Sequence, residues 1–159
     1  MQVDVSALRR AATGESVAFA FTDEEPDLSD LPGLRVGAVT GQVSQLGDRL
    51  LAAGTVAGSV QLECSRCTCP FRHELAADFS DEYAEQPTEE QSSYRGDRLD
   101  LRPAIRAALL LQLPSQPIHD PACKGLCEVC GQDLNKEPHQ HEDDSSSDHP
   151  FAVLKKLKK

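Results

Sequence analysis

Cysteine and histidine residues are the part of this chain whose types and spacing could do chemistry. Two Cys-x-x-Cys pairs occur, Cys64/Cys67 and Cys127/Cys130. Zinc prefers thiolate and imidazole ligands in a tetrahedron, and a Cys-x-x-Cys turn directs two sulfur atoms at one ion. Gly131 follows the second pair, at a position where such a turn favours a residue that tolerates positive φ. The spacing therefore predicts a structural zinc site that includes Cys127 and Cys130.

Two ligand sets are compatible with this spacing. In a joint site, which we favour, both cysteine pairs close one tetrahedron and fasten the second pair to the end of a β-hairpin. In a local site, the second pair combines with His139 and His141, whose His-x-His spacing lets both rings point the same way from an extended chain. The first pair is then left unfilled or holds another ion. Cys69 and Cys123 are spare candidates in either geometry. Because roughly 60 residues separate the two pairs, far more than in a usual zinc ribbon, the spacing leaves both sets open.

The alternatives to metal binding are a thiol-redox function, or reduced thiols that lie in turns and have no chemical role. A thioredoxin-like pair lies at the start of a helix within a βαβ unit, whereas Cys64 follows one strand-like run and Pro70 begins another. A catalytic zinc would need an open coordination position beside an acid or base. The sequence contains no nucleophile triad signature, phosphate-binding loop or dinucleotide fingerprint. We therefore expect no enzyme activity and no small-molecule substrate.

The overall charge narrows the class of partner. The chain carries a formal net charge of -10 and has a sequence pI of about 4.9. Unaided binding to RNA or DNA requires the opposite, a basic surface that neutralises phosphates. An acidic surface instead attracts a basic partner and raises the rate of encounter with it.

The cysteine content and the start of the chain predict its compartment. Six cysteines in a reducing compartment are more often metal ligands or reactive thiols than disulfides. The first residues contain no basic region followed by an apolar core, and no run of about 20 apolar residues occurs. We expect a cytoplasmic protein that does not bind a membrane.

Alternating apolar residues predict the strands that must position the first pair. Two β-like runs, 34–46 and 50–62, are separated by Gly47-Asp48-Arg49 and predict a hairpin. In the second run, apolar residues and glycines alternate with a more polar set, as a half-buried antiparallel strand requires. The alternation resumes at residues 71–79, so one strand enters the first Cys-x-x-Cys turn and another leaves it.

A helix is predicted after Asp100, whose side chain can cap the first turn. Pro103 falls within that turn, where proline is tolerated. The residues that recur at helical spacing are Leu101, Ala104, Ile105, Ala108, Leu109 and Gln112. Residues 81–97, which precede the helix, are acidic and rich in Gln and Ser, and this composition predicts a mobile surface loop.

Together these elements predict an α+β fold. Its antiparallel sheet could close towards a barrel, with the helix packed on it, a cysteine-rich zinc-knuckle segment and a flexible C-terminal tail. Residues 1–135 are expected to form a single β-rich domain closed by the two knuckles. Residues 136–149 are too polar to pack and predict a disordered linker, and 150–159 predict a short amphipathic helix with a basic face.

Four motifs occur in a recognisable order. They are Val60-Gln-Leu-Glu-Cys-Ser-Arg-Cys67 with Pro70-Phe71, Leu99-Asp-Leu101 before the Leu-rich helix, Cys123-Lys-Gly-Leu-Cys-Glu-Val-Cys-Gly131 with Leu134-Asn135, and Pro150-Phe-Ala-Val-Leu154. In order and spacing they resemble the YceD family of bacteria and plastids, which is linked to accumulation of large-subunit ribosomal RNA. Many members have Cys-x-Cys where this chain has His139-Gln-His141, and some lack the second cysteine cluster.

The resemblance implies a role in the synthesis, processing or stability of large-subunit (23S) ribosomal RNA, with no catalytic residues to carry over. Because the chain is acidic, we expect it to bind a basic ribosomal protein or assembly factor, and to contact the RNA directly or indirectly. The acidic loop and the sheet face would bind the protein, and the basic terminal helix would make a minor RNA contact. The alternatives are a zinc-dependent nucleic-acid-binding module and a Cys-x-x-Cys thiol-redox protein.

Overall fold

The computed structural model describes residues 1–22, 33–89 and 91–141. The helix expected at 150–159 and most of the expected linker lie outside this part of the chain. The described elements are β1 (Gln2–Asp4), β2 (Ser16–Thr22), β3 (Arg35–Leu46), β4 (Arg49–Glu63), β5 (Pro70–Ala84), β6 (Ser92–Ser93), β7 (Arg98–Asp100) and the helix α1 (Arg102–Leu111), with a single 3-10 turn at Leu8–Arg10.

The strands form two sheets. Five strands pair in the order β2-β3-β4-β5-β6, and β1 pairs separately with β7. All the pairs are antiparallel except β5 with β6, which is parallel. The described part of the chain is therefore mostly β with one helix, as predicted, but the suggested barrel is wrong. The two-residue strand β6 is too short to carry the sheet round, and the described strands leave β2 and β6 as its opposite edges.

The long hairpin of β3 and β4 confirms the alternation seen in the sequence. Its register pairs Leu46 with Arg49 across the turn, where Gly47 has φ of 67°. One face of the sheet is buried and carries the apolar residues of the pattern, because a strand presents successive side chains to opposite faces. On β4 and β5 the buried members of that face are Leu50, Ala52, Val56, Val60, Leu75, Ala77, Phe79 and Tyr83.

Helix α1 covers this buried face through Ile105 and Leu109. Asp100 lies just before the helix, and its Oδ1 accepts a hydrogen bond from the backbone N–H of Arg102 at 3.0 Å. The mobile loop predicted over 81–97 is partly wrong, since β5 continues to Ala84. Tyr83 and Ala84 are buried at the end of β5. Their packing extends the strand into a segment whose average composition is polar.

The fold brings the first Cys-x-x-Cys turn to one end of the molecule. Residues 64–69 connect β4 to β5, and the chain that follows α1 returns to this connection. Ser65 N–H donates to the carbonyl of Pro117 at 2.8 Å, and Leu126 N–H donates to that of Arg66 at 3.0 Å. Within the described residues, α1 is too short to cross a membrane.

Candidate metal centres

Both Cys-x-x-Cys pairs lie in the same type of backbone turn. Thr68 N–H donates to the carbonyl of Cys64, and Gly131 N–H donates to that of Cys127, both at 2.8 Å. The residue after each second cysteine has positive φ, 59° at Thr68 and 72° at Gly131. The conformation predicted for Gly131 is therefore present, and the first turn reaches it without glycine.

The first cluster consists of Cys64, Cys67, His119 and Cys123, whose potential ligand atoms all lie within 4.8 Å of one another. The Sγ atoms of Cys64 and Cys123 are 3.9 Å apart, and Cys67 Sγ lies 3.5 Å from His119 Nδ1. In a zinc tetrahedron these edges would measure about 3.8 Å between two sulfurs and about 3.6 Å between sulfur and nitrogen. Both measured edges thus fit a zinc ion.

Neighbouring polar groups support the first cluster. Asn135 Nδ2 donates to Cys123 Sγ at 3.4 Å, and Arg66 Nη1 donates to the carbonyl of Cys123 at 2.9 Å. Asn135 is itself held, because its Oδ1 accepts the backbone N–H of Lys124 at 2.9 Å. Such outer contacts orient metal ligands in proteins.

The second cluster consists of Cys127, Cys130, His139 and His141, again with all potential ligand atoms within 4.8 Å of one another. Cys130 Sγ lies 3.1 Å from His139 Nε2. On the other side of the ring, His139 Nδ1 lies 2.8 Å from the carbonyl of Glu137. A proton on Nδ1 would be donated to this carbonyl, which leaves the lone pair of Nε2 for a metal.

Hydrogen bonds lower the pKa of one cysteine in each cluster, whereas burial raises the pKa of Cys123 in the first cluster. A hydrogen bond with His119 lowers the pKa of Cys64 to about 5. Backbone N–H groups of Cys130 and Val129 lower the pKa of Cys127 to about 6. The thiolate is the form of cysteine that binds metal, so one cysteine of each cluster is ready to ligate at neutral pH.

The structure divides the four cysteines of the joint site between the two clusters. The second pair instead lies with His139 and His141, the four residues of the local set. Cys123 belongs to the first cluster, and Cys69 lies outside both clusters, although its Sγ is 3.2 Å from that of Cys67. Metal binding by either cluster stays a prediction.

Sequence reasoning missed His119. The signal available was its spacing, His119-x-x-x-Cys123, within the proline-rich segment that leads to the second pair. This segment returns to the first turn through the Ser65 to Pro117 hydrogen bond, which brings His119 and Cys123 beside the first pair. The two residues thus occupy the places that the joint site would give to Cys127 and Cys130.

Comparison with protein-family models identifies a family that this chain matches. The model described as "Large ribosomal RNA subunit accumulation protein YceD" matches residues 52–158. The matched region begins within β4 and contains both clusters.

Several curated relatives are mycobacterial proteins whose names describe them as uncharacterised. Those of Mycobacterium tuberculosis and Mycobacterium bovis are each 34% identical over 110 residues, which is 64% of this chain and 53% of the relative. A Mycobacterium leprae protein is 29% identical over 110 residues, 64% of this chain and 51% of its own. The chain therefore spans about half the length of the curated relatives it matches. No solved structure matches it significantly.

Proposed function

Because the chain belongs to the YceD family of large ribosomal RNA subunit accumulation proteins, we propose that it is a ribosome biogenesis factor. It acts in the synthesis, processing or stability of large-subunit (23S) ribosomal RNA, in the cytoplasm and without catalysis. The observation that carries this proposal is the family match over residues 52–158. The description of the family concerns accumulation of this RNA, and a binding factor can promote accumulation by protecting the RNA or by aiding its assembly.

The proposed partner is a basic ribosomal protein or assembly factor, with contact to the RNA direct or indirect. A net charge of -10 favours association with a basic protein over the phosphates of naked RNA. The attraction acts at long range and raises the rate of encounter, and salt weakens it because the Debye length shortens to about 8 Å at 0.15 M.

The outer face of the five-stranded sheet is the proposed docking surface. It carries small exposed side chains around a shallow depression of about 420 Å³, lined by Thr40, Thr55, Ala57, Ala76 and Asp78 among others. Small side chains let a partner approach the sheet closely. The exposed side chains of Glu74 and Asp78 on the same face of β5 supply negative charge, which Arg72 offsets in part. By contrast, two acidic residues of the expected acidic loop already form ion pairs with an arginine, Glu85 and Asp97 with Arg9 at 2.8 and 3.1 Å.

The role proposed for the metal is structural. Zinc bound by the Cys/His clusters would fix the segment after α1 against the end of the β4–β5 hairpin and so keep the binding surface in shape. The donor set supports this proposal, because thiolate and imidazole are the ligands of structural zinc sites.

Depletion of the protein tests the function. The ratio of large-subunit to small-subunit ribosomal RNA is expected to fall, and to recover when the wild-type chain is supplied again. An unchanged ratio after depletion would contradict the proposal.

Affinity purification at physiological salt tests the partner. A basic ribosomal protein or assembly factor is expected to co-purify with the wild-type chain and less with Asp78→Asn. Asp48→Asn is the matched control, because it removes the same charge at the β3–β4 turn, away from the proposed surface. Co-purification of RNA alone, with strongly salt-dependent affinity, would instead favour the zinc-dependent nucleic-acid module.

A further inference from the structure

We propose that the chain binds two zinc ions at separate sites, one in the first cluster, whose three cysteines are buried, and a more readily emptied one in the second. This rests on the zinc part of the proposed function and specifies its ligands. The first ion would be held by Cys64, Cys67, His119 and Cys123. The second would be held by the four residues of the second cluster, Cys127, Cys130, His139 and His141.

The first site follows from three thiols buried side by side. Cys64, Cys67 and Cys123 are only 1%, 5% and 4% exposed, and all three are free cysteines. Zinc binds the thiolate form of cysteine, and three buried thiolates are tolerated side by side only with a cation at their centre. The sulfur–sulfur and sulfur–nitrogen edges have the lengths that zinc requires.

The second site has a different set of ligands, whose potential ligand atoms again all lie within 4.8 Å of one another. The distance of 3.1 Å from Cys130 Sγ to His139 Nε2 is shorter than the edge of a zinc tetrahedron, so these two atoms would separate by about 0.5 Å on binding. Two thiolates and two neutral imidazoles balance the charge of one Zn²⁺, so this site needs no further counter-ion. The Glu137 carbonyl orients the His139 ring, as outer carbonyls do for many metal-bound histidines. The turn at Cys127 also repeats the hydrogen bond and positive φ of the turn at Cys64.

The two sites differ in how the protein encloses them. Ligands of the first come from two parts of the chain that the fold joins by hydrogen bonds, Ser65 to Pro117, Leu126 to Arg66 and Arg66 to Cys123. Ligands of the second lie within residues 127–141. Each site has an exposed histidine, His119 in the first and His141 in the second, but only the second has an exposed cysteine, Cys130. A chelator or an oxidant reaches the Cys130 thiolate without opening the fold, whereas the three cysteines of the first site are buried. Zinc should therefore leave the second site first.

Native mass spectrometry of the zinc-loaded chain tests the number of sites. Wild type is expected to carry two zinc ions, and Cys123→Ser and His139→Ala one each. Cys69→Ser is the control, because it removes a neighbouring thiol that belongs to neither cluster, and it should retain both ions. One ion in wild type, or loss of all metal from both single variants, would overturn the proposal.

Cobalt substitution identifies the ligands, because the intensity of sulfur-to-cobalt charge transfer rises with the number of bound thiolates. His139→Ala, which keeps the first site, is expected to absorb more per ion than Cys123→Ser, in a ratio of roughly three to two. If Cys123→Ser fails to fold, His119→Cys serves instead, since it should keep both ions and raise the intensity at the first site. Equal intensity per ion in the two single-site forms would contradict the assignment.

Chelator competition tests the order of release. One zinc equivalent is expected to leave wild type at least about tenfold faster than the other, and His139→Ala should lack the fast phase. Equal rates would overturn the difference between the sites. These measurements use purified protein, so they can fail while depletion still lowers the ribosomal RNA ratio, and an unchanged RNA ratio would leave the metal count untouched.

Discussion

At the residue scale, Gly125 links the two clusters at a point where the chain allows little room. Its φ is 80°, and a Cβ atom placed there would lie 3.2 Å from the carbonyl oxygen of Arg66. The same carbonyl accepts the Leu126 N–H, so it is fixed in place. Glycine is therefore required here for two reasons, its backbone conformation and the close approach of the β4–β5 turn.

Gly125→Ala should destabilise the zinc-loaded protein by about 2 kcal/mol. About 1 kcal/mol comes from the left-handed backbone conformation, and the rest from the contact with a carbonyl that cannot move freely. Denaturant unfolding in the presence of excess zinc measures the loss.

Gly131→Ala is the matched control, because Gly131 has φ of 72° and no atom within 4 Å of an added Cβ. It should cost only the backbone part, about 1 kcal/mol. Equal losses for the two variants would show that the contact with Arg66 does not matter.

At the element scale, the sequence predicts the long strands well and the short ones poorly. The hairpin and β5 have enough alternating residues to define a period, and their buried faces agree with the pattern. Strand β6 has two residues, and β1 pairs with β7 across most of the chain, Val3 opposite Leu99. No local pattern predicts a pairing partner so distant in sequence, because packing against the common core determines which strands pair.

The candidate site shows the same limit. The Cys-x-x-Cys turns were visible because their ligands are neighbours in sequence. The sequence does not show how the ligands divide between two clusters, because this depends on where the segment after α1 returns to the hairpin. The local set with His139 and His141 was the nearer alternative in sequence, and it is the set that the structure brings together.

Helix α1 has one face in the core and one in solvent. Substitution of one leucine on each face compares their contributions to stability. Leu109 is 0% exposed, whereas Leu111 is 84% exposed. Leu109→Ala should lower the free energy of unfolding by about 2–5 kcal/mol through lost burial and a cavity. Leu111→Ala should change it by less than about 0.5 kcal/mol. Similar losses in urea unfolding would mean that α1 does not pack as described.

The start of α1 should respond to acid. The Arg102 side chain beside Asp100 lowers the pKa of that carboxyl group. A lowered pKa in the folded state stabilises the protein above the unfolded pKa of about 3.9, and this contribution is lost as pH falls through the folded value.

Asp100→Asn should therefore destabilise the protein by about 0.5–1 kcal/mol at pH 7 and less at pH 3. Urea unfolding at both pH values checks this. Chelator is present throughout, so that loss of metal at low pH does not contribute to the difference in the free energy of unfolding. A loss as large at pH 3 as at pH 7 would show that the charge of Asp100 is not involved.

At the scale of the whole molecule, two separate groups of buried residues support different parts of the chain. The main core lies between the five-stranded sheet, β1, β7 and α1. The smaller one consists of Cys64, Cys67 and Cys123, against which Phe71 and Ile118 pack. A group with so little apolar surface gains little from burial alone, since about 25 cal/mol is gained per Å². The smaller group should depend on metal, and the main core should not.

Hydrogen exchange with and without chelator measures this division. Removal of zinc should abolish protection at the amides of Ser65, Leu126 and Leu134, whose hydrogen bonds join the segment after α1 to the hairpin and to itself. Amides in the paired strands β3 and β4 should keep their protection, because they belong to the main core and its sheet. Simultaneous loss of protection in both regions would mean that the chain unfolds as one unit without metal. In that case the zinc would maintain the whole fold, including the proposed docking face, and not only the end of the hairpin.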